Sequence, residues 1–260
     1  MNLKKKLADG HSIVGTMLQA NSPAIVEVLG ILGFDYVLID LQHTPATWET
    51  AQDLIRAAHL RNMAALIRIP AFTETDILKA LDIGADGLIL PFLRTADELR
   101  FAVGCSRYLP EGNRSICSQT RLASYGLYDG TYVDLLKRIN SNTFLFGVVE
   151  DQTGVDNLAD IMAVAPGLDV ISVGRGDLAA GMGLAGQQSD PRLLAVVNHA
   201  VDVIMNPAPS IAQPPCMGVF TYSKTELPGW HEKGARAFCH MSEVSLLANG
   251  SRDYLSALQR

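Results

Sequence analysis

The 260-residue sequence has no apolar run approaching the ~20 residues that a membrane-spanning helix requires. Its opening, Met1-Asn2-Leu3-Lys4-Lys5-Lys6, leads into Asp9, Gly10 and His11 with no apolar stretch behind the basic cluster. That is not the pattern of a secretory signal, and a short basic amphipathic helix is expected there instead. Only four cysteines occur, Cys105, Cys117, Cys216 and Cys239, and no two form a Cys-x-x-Cys pair. This argues against a zinc site and a disulfide framework and fits free, mostly buried thiols in a reducing cytoplasm. Positive charge is also short. The 21 Lys and Arg face 27 Asp and Glu, a net −6, whereas nucleic-acid binders carry a basic excess or stripe. Small molecules, not nucleic acid or membrane, are the expected partners. With 48% hydrophobic and 18% charged residues the chain is too apolar for disorder.

Two further absences bear on chemistry. No Gly-x-Gly-x-x-Gly follows the first strand-like run, which weakens a doubly wound dinucleotide fold. The seven lysines are Lys4, Lys5, Lys6, Lys79, Lys137, Lys224 and Lys233, and none lies inside a strand-like run. Only Lys224 stands just past one, where it opens a helix. An imine-forming mechanism is therefore disfavoured.

What the sequence does contain is regular alternation. Apolar runs at Ser12–Leu18, Tyr36–Leu41, Ala64–Ile69, Gly87–Leu93, Phe144–Glu150, Asp169–Gly174, Met217–Tyr222 and Ala237–Met241 read as strands. Helical spacing follows each: Pro23–Leu29, Thr47–Leu60, Thr73–Ile83, Thr95–Ser106, Val155–Val164, Pro191–Met205, Lys224–Lys233 and Glu243–Leu258. A shorter helix is expected at Val133–Ile139 after an irregular stretch. The strands are continuous rather than alternating, as parallel strands covered on both faces are. Eight strand–helix units predict a single (β/α)₈ TIM barrel spanning residues 1–260. The Pro-rich Asn206–Pro215 segment reads as a loop, not a linker between domains.

In such a barrel the chemistry lies at the C-terminal ends of the strands. Glu150 ends the fifth strand and Asp177 follows the sixth, so both carboxylates can converge. Two carboxylates, with waters and a chelating substrate, suit Mg²⁺ or Mn²⁺, with Co²⁺ a further candidate; two unrelated rim acids are the plainer alternative. His43, just past the second strand, could be a general base, a metal ligand or a structural histidine. Arg68 interrupts an apolar run and is costly to bury without an anionic partner. It points to an anionic ligand or to a structural pair with Asp40. Gly174-Arg175-Gly176 is a turn whose backbone N–H groups could hold a carboxylate.

Taken together, several segments resemble one family. They are Gly33-Phe34-Asp35-Tyr36-Val37-Leu38-Ile39-Asp40 with His43, Arg68-Ile69-Pro70, Leu81-Asp82-Ile83-Gly84-Ala85-Asp86-Gly87 running to Pro91, Pro110-Glu111-Gly112-Asn113-Arg114, Glu150, and Gly174-Arg175-Gly176-Asp177-Leu178. Over nearly its whole length the chain resembles the HpcH/HpaI family of metal-dependent (class II) pyruvate aldolases. The resemblance implies a lyase that reversibly cleaves a 4-hydroxy-2-oxo acid to pyruvate and an aldehyde. It implies metal ligation by Glu150 and Asp177, enolate stabilisation by Arg68, and acid–base work by His43 paired with Asp82. It implies that backbone N–H groups at Arg175 to Asp177 hold the pyruvate carboxylate. It also implies a cytoplasmic homo-hexamer, a trimer of dimers with the last helix exchanged between subunits. The same superfamily implies two alternatives: a citrate-synthase-like transferase joining oxaloacetate to acetyl-CoA, and an oxaloacetate decarboxylase. The chain departs from the family pattern at Gln42 (usually acidic), Arg175 (small or Pro), Ser115, Ala179 and His240–Glu243. Arg175 would place a positive charge beside the metal site. Arg114, Arg121, Tyr125 and Tyr128 are candidates for the aldehyde end.

Overall fold

The computed structural model describes residues 2–164 and 167–258. Among these, eight parallel strands close a barrel in chain order: β1 (Ile13–Leu18), β2 (Tyr36–Asp40), β3 (Ala64–Arg68), β4 (Gly87–Leu90), β5 (Phe144–Val149), β6 (Val170–Val173), β7 (Cys216–Thr221) and β8 (Ala237–His240). β8 pairs back onto β1, so no sheet edge is left. This is the expected (β/α)₈ barrel. A helix α1 (Leu3–Ala8) precedes β1, as the basic opening suggests. The outer layer is α2 (Pro23–Ile31), α3 (Trp48–Leu60), α4 (Glu74–Asp82), α5 (Ala96–Ser106), α6 (Tyr132–Asn142), α7 (Gln152–Asp156), α8 (Leu158–Met162), α9 (Arg175–Gly181), α10 (Pro191–Met205), α11 (Leu227–Glu232) and α12 (Glu243–Ser256). Thr47, Thr73, Thr95 and Thr131 each cap a helix by accepting the backbone N–H three residues on. Such a cap stabilises a helix start by about 1 kcal/mol.

Three departures from the sequence reading lie near the mouth of the barrel. α9 is a helix that the glycines in Arg175–Gly181 hide. The Val155–Val164 helix is two short ones, beginning early because Asp151 accepts the Gly154 N–H at 2.9 Å. β4 stops at Leu90, short of Leu93, because Phe92 adopts φ 47°, a left-handed conformation that a bulky residue rarely takes.

The continuous apolar strands divide by parity. Tyr36, Leu38, Leu66, Ile89, Phe146, Val170 and Cys239 fill the barrel interior, while the alternate residues Val37, Ile39, Ile67, Leu88, Leu145 and Ile171 pack against the helices. Continuing the inward series brings Asp40, two past Leu38, Arg68, two past Leu66, and Glu150, two past the inward Val148, to the mouth. At the opposite end, aspartates precede β2, β4 and β6. Asp35 accepts the Val14 N–H at 2.9 Å, Asp86 the Ala65 N–H at 2.8 Å and Asp169 the Leu145 N–H at 2.8 Å. Each also faces a base: Lys6, His59 and Lys4 respectively. Every one ties an even strand to the odd strand before it.

Candidate active site

Asp40 organises one side of the mouth. It is fully buried, and its register partner on β3 is Arg68. Its Oδ1 accepts Arg68 Nε at 2.9 Å and its Oδ2 accepts Arg68 Nη2 at 2.7 Å, a two-pronged pair. The structural pair raised by the sequence therefore exists. Oδ1 also accepts the backbone N–H groups of Gln42 at 2.9 Å and His43 at 3.3 Å. Burial pushes the Asp40 carboxyl up, but Arg68 and these backbone donors outweigh it and hold it below its ordinary value. One carboxylate thus fixes both the guanidinium and the turn carrying His43. The His43 residue is exposed, and its ring has no hydrogen-bond partner among the described residues. The side-chain oxygen of Gln42 is buried without a partner.

The carboxylate of Glu150, a buried residue, faces this pair from β5. Its Oε1 accepts the Phe92 N–H at 2.8 Å, which the left-handed turn at Phe92 delivers. Gly174 makes room for the carboxyl, since a Cβ there would lie 2.6 Å from Glu150 Oε2. Burial, and then the nearby Asp177 carboxylate, raise the Glu150 carboxyl from 4.5 to about 7, against opposing pulls from the Phe92 N–H and Arg68. Asp177 stands exposed in the first turn of α9. The two carboxylates meet as the sequence proposes. Their hard oxygen donors, one buried and one exposed at the rim, fit a divalent cation such as Mg²⁺ or Mn²⁺. No group of three His, Cys, Asp or Glu side chains that could hold a metal occurs among the described residues. A cation here would take its remaining ligands from water and substrate.

Three expectations are corrected. Within its own barrel Asp82 does not meet His43. It ends α4, and barrel helices run antiparallel to their strands, so it lies at the base, where Arg114 pairs with it. The Arg114 side chain is fully buried and stacks 4.9 Å from the Tyr108 ring. Gly174 offers no free N–H, which is spent on the Val149 carbonyl at 2.8 Å; the free donors of that turn are those of Arg175, Gly176 and Asp177. Nor does Arg175 bring net charge to the carboxylates, because its guanidinium pairs with Glu226 at 2.6 Å.

A sequence profile of the HpcH/HpaI aldolase/citrate lyase family matches residues 14–239. The chain belongs to this family. Its relatives include the 5-keto-4-deoxy-D-glucarate aldolase of Klebsiella pneumoniae, 33% identical over 196 residues, or 75% of each chain. Among solved structures it is similar to an HpcH/HpaI aldolase from Desulfitobacterium hafniense, with 26% identity and a TM-score of 0.89 over 100% of this chain and 97% of that one. It is also similar to the citrate synthase SbnG, with 27% identity and a TM-score of 0.85 over 99% and 98%. Within this HpcH/HpaI chain, sequence reasoning missed Phe92 and Glu226, and ended the seventh strand at Tyr222 without giving it a role. Phe92 acts through its backbone, so no side-chain pattern marks it. Glu226 does leave a trace: Ser223-Lys224-Thr225-Glu226 is a capping box, which the structure forms.

Proposed function

We propose that this one-domain chain is a metal-dependent carbon–carbon lyase that reversibly cleaves a 4-hydroxy-2-oxo acid to pyruvate and an aldehyde. The observation that carries the reading is the buried Glu150 carboxylate beside Asp177, with Arg68 close enough to act on it. A divalent ion held by Glu150 and Asp177 would supply Lewis-acid stabilisation of negative charge on the substrate's keto oxygen. Arg68 gives Nε and Nη2 to Asp40 and keeps Nη1 donors for the developing enolate oxygen. Because Asp40 already orients the guanidinium, it need not reorganise during the reaction. The ring of His43, an exposed residue, moves the proton through water, without Asp82 as a partner in its own barrel. The free backbone donors at Arg175, Gly176 and Asp177 take the pyruvate carboxylate.

A second reading, the citrate-synthase-like transferase, is favoured by the likeness to SbnG; oxaloacetate decarboxylation would draw on the same enolate. Incubation with Mg²⁺ or Mn²⁺, pyruvate and a panel of aldehydes, beside acetyl-CoA with oxaloacetate, separates them. Aldol product is expected, abolished by EDTA and restored by metal. CoA release without aldol product would replace the lyase by the transferase, and full activity in EDTA would remove the metal from Glu150 and Asp177.

No helix among the described residues is long and apolar enough to cross a membrane, and a cytoplasmic location is part of the proposal. So is the hexamer. α12 buries only Glu243, while Leu246, Leu247, Tyr254 and Leu255 lie exposed. On the barrel wall Val28 and Ile31 of α2 and Leu32 at its C-terminal cap are equally bare. An α12 exchanged between copies would cover both faces. Leu247→Glu with Leu255→Glu is expected to reduce the assembly to smaller species in analytical ultracentrifugation, and an unchanged mass would refute the exchange.

A further inference from the structure

The inward positions of β7 are Cys216, Gly218 and Phe220, and the next in that series, just past the strand, is Tyr222 at the rim of the mouth. Its surroundings leave it little freedom. One Glu226 carboxylate oxygen accepts the backbone N–H groups of Tyr222 at 3.0 Å and Ser223 at 3.2 Å. The other accepts Arg175 Nη2 at 2.6 Å. Arg175 also donates to the Phe220 carbonyl at 3.2 Å, and its guanidinium lies 5.5 Å from the Tyr222 ring and 5.4 Å from the Trp230 ring. Backbone and ring face are thus both held, by an ion pair that cancels its own charge. The phenol hydroxyl alone has no protein partner among the described residues. It stands over the turn beside Asp177, since a Cβ on Gly176 would lie 3.4 Å from its oxygen.

We propose that the Tyr222 hydroxyl is a substrate-binding group, donating a hydrogen bond to an oxygen of the bound oxo acid, with Arg175, Glu226 and Trp230 as the positioning residues that hold it over the mouth. The inference rests on the aldolase reading and adds to it a neutral donor on the wall opposite Arg68. It also gives Arg175 its use: the guanidinium is a platform for the ring rather than a charge offered to substrate. The oxygen belongs either to the pyruvate half or to the acceptor half of the oxo acid.

Tyr222→Phe keeps the ring and its stacking and removes only the donor. At saturating Mn²⁺ it should raise KM for a 4-hydroxy-2-oxo acid about 10-fold or more, the scale of one hydrogen bond to a charged group, and leave kcat within about threefold. Calorimetric titration with oxalate, a mimic of the pyruvate half, locates the oxygen. An equal loss of oxalate affinity places it in the pyruvate half, and unchanged oxalate binding with raised KM places it in the acceptor half. Glu226→Gln should raise KM in the parent and add nothing in the Tyr222→Phe background, whereas a purely structural role would lower Tm without this non-additivity. KM and oxalate affinity both unchanged in Tyr222→Phe would overturn the proposal. So would weaker Mn²⁺ binding with unchanged KM at saturation, which would assign the hydroxyl to Asp177. If the parent itself neither binds oxalate with Mn²⁺ nor cleaves the oxo acid, the aldolase reading fails, and the Tyr222 proposal falls with it.

Discussion

Near pH 8 and without divalent metal, Glu150→Gln is expected to melt at a higher temperature than the parent. The Glu150 carboxyl is raised from 4.5 to about 7 in the folded chain, first by burial and then by Asp177. Across that interval the folded state keeps a proton that the unfolded state has released. Parent stability therefore falls as pH rises from the unfolded value through the folded one, by about 3 kcal/mol in all, and levels off above it. Glutamine carries no charge at any pH and keeps an oxygen for the Phe92 N–H, so it lacks this slope. Calorimetric melts at pH 4 and pH 8 should show the two chains nearly equal at the first and the variant ahead at the second. Mn²⁺ should raise the melting temperature of the parent and leave the variant unmoved. A variant no more stable than the parent at pH 8 would contradict the picture of a buried, charge-strained carboxylate.

Arg68→Ala should damage the protein twice. It removes the guanidinium donor to the enolate oxygen, expected to lower kcat about 10²–10³-fold. It also leaves the fully buried Asp40 carboxylate without its cation, which costs about 3–5 kcal/mol of stability. The effects separate in the double variant Arg68→Met with Asp40→Asn, which removes both charges and keeps an oxygen for the Gln42 and His43 N–H groups. Stability should largely return in urea titration while activity stays low. Recovered activity in that variant would remove Arg68 from the chemistry and leave it a structural role alone.

The legible part of the site consists of residues whose type clashes with their surroundings in sequence. Arg68 stands out because a lone charge in a buried strand needs a counter-charge, and Asp40 supplies it. Glu150 and Asp177 were readable because both follow apolar runs that end at the mouth. Asp82 precedes β4, and the start of a strand lies a barrel's height from its end, so within one barrel it sits away from His43. Arg175 read as an added charge because its neutralising partner, Glu226, lies 51 residues on, past α10 and β7. Phe92 acts through a backbone angle, and the clamp on Tyr222 joins residues far apart in sequence, so neither arrangement leaves a local trace. The barrel itself was plain, since eight apolar runs separated by helical spacing have few other ways to bury both faces.

The three basal aspartates make the barrel uneven around its circumference. Asp35, Asp86 and Asp169 join β1 to β2, β3 to β4 and β5 to β6 as riveted pairs. The corresponding position before β8 is Arg236, whose guanidinium turns to the nearby carbonyls of His231 and Ala235. The fourth pair is thus joined by its backbone ladder without such a rivet. The staves that carry Tyr222 and lead into α12 therefore lack the basal rivet the other three pairs share, and the Arg175–Glu226 clamp at the rim is what braces this wall.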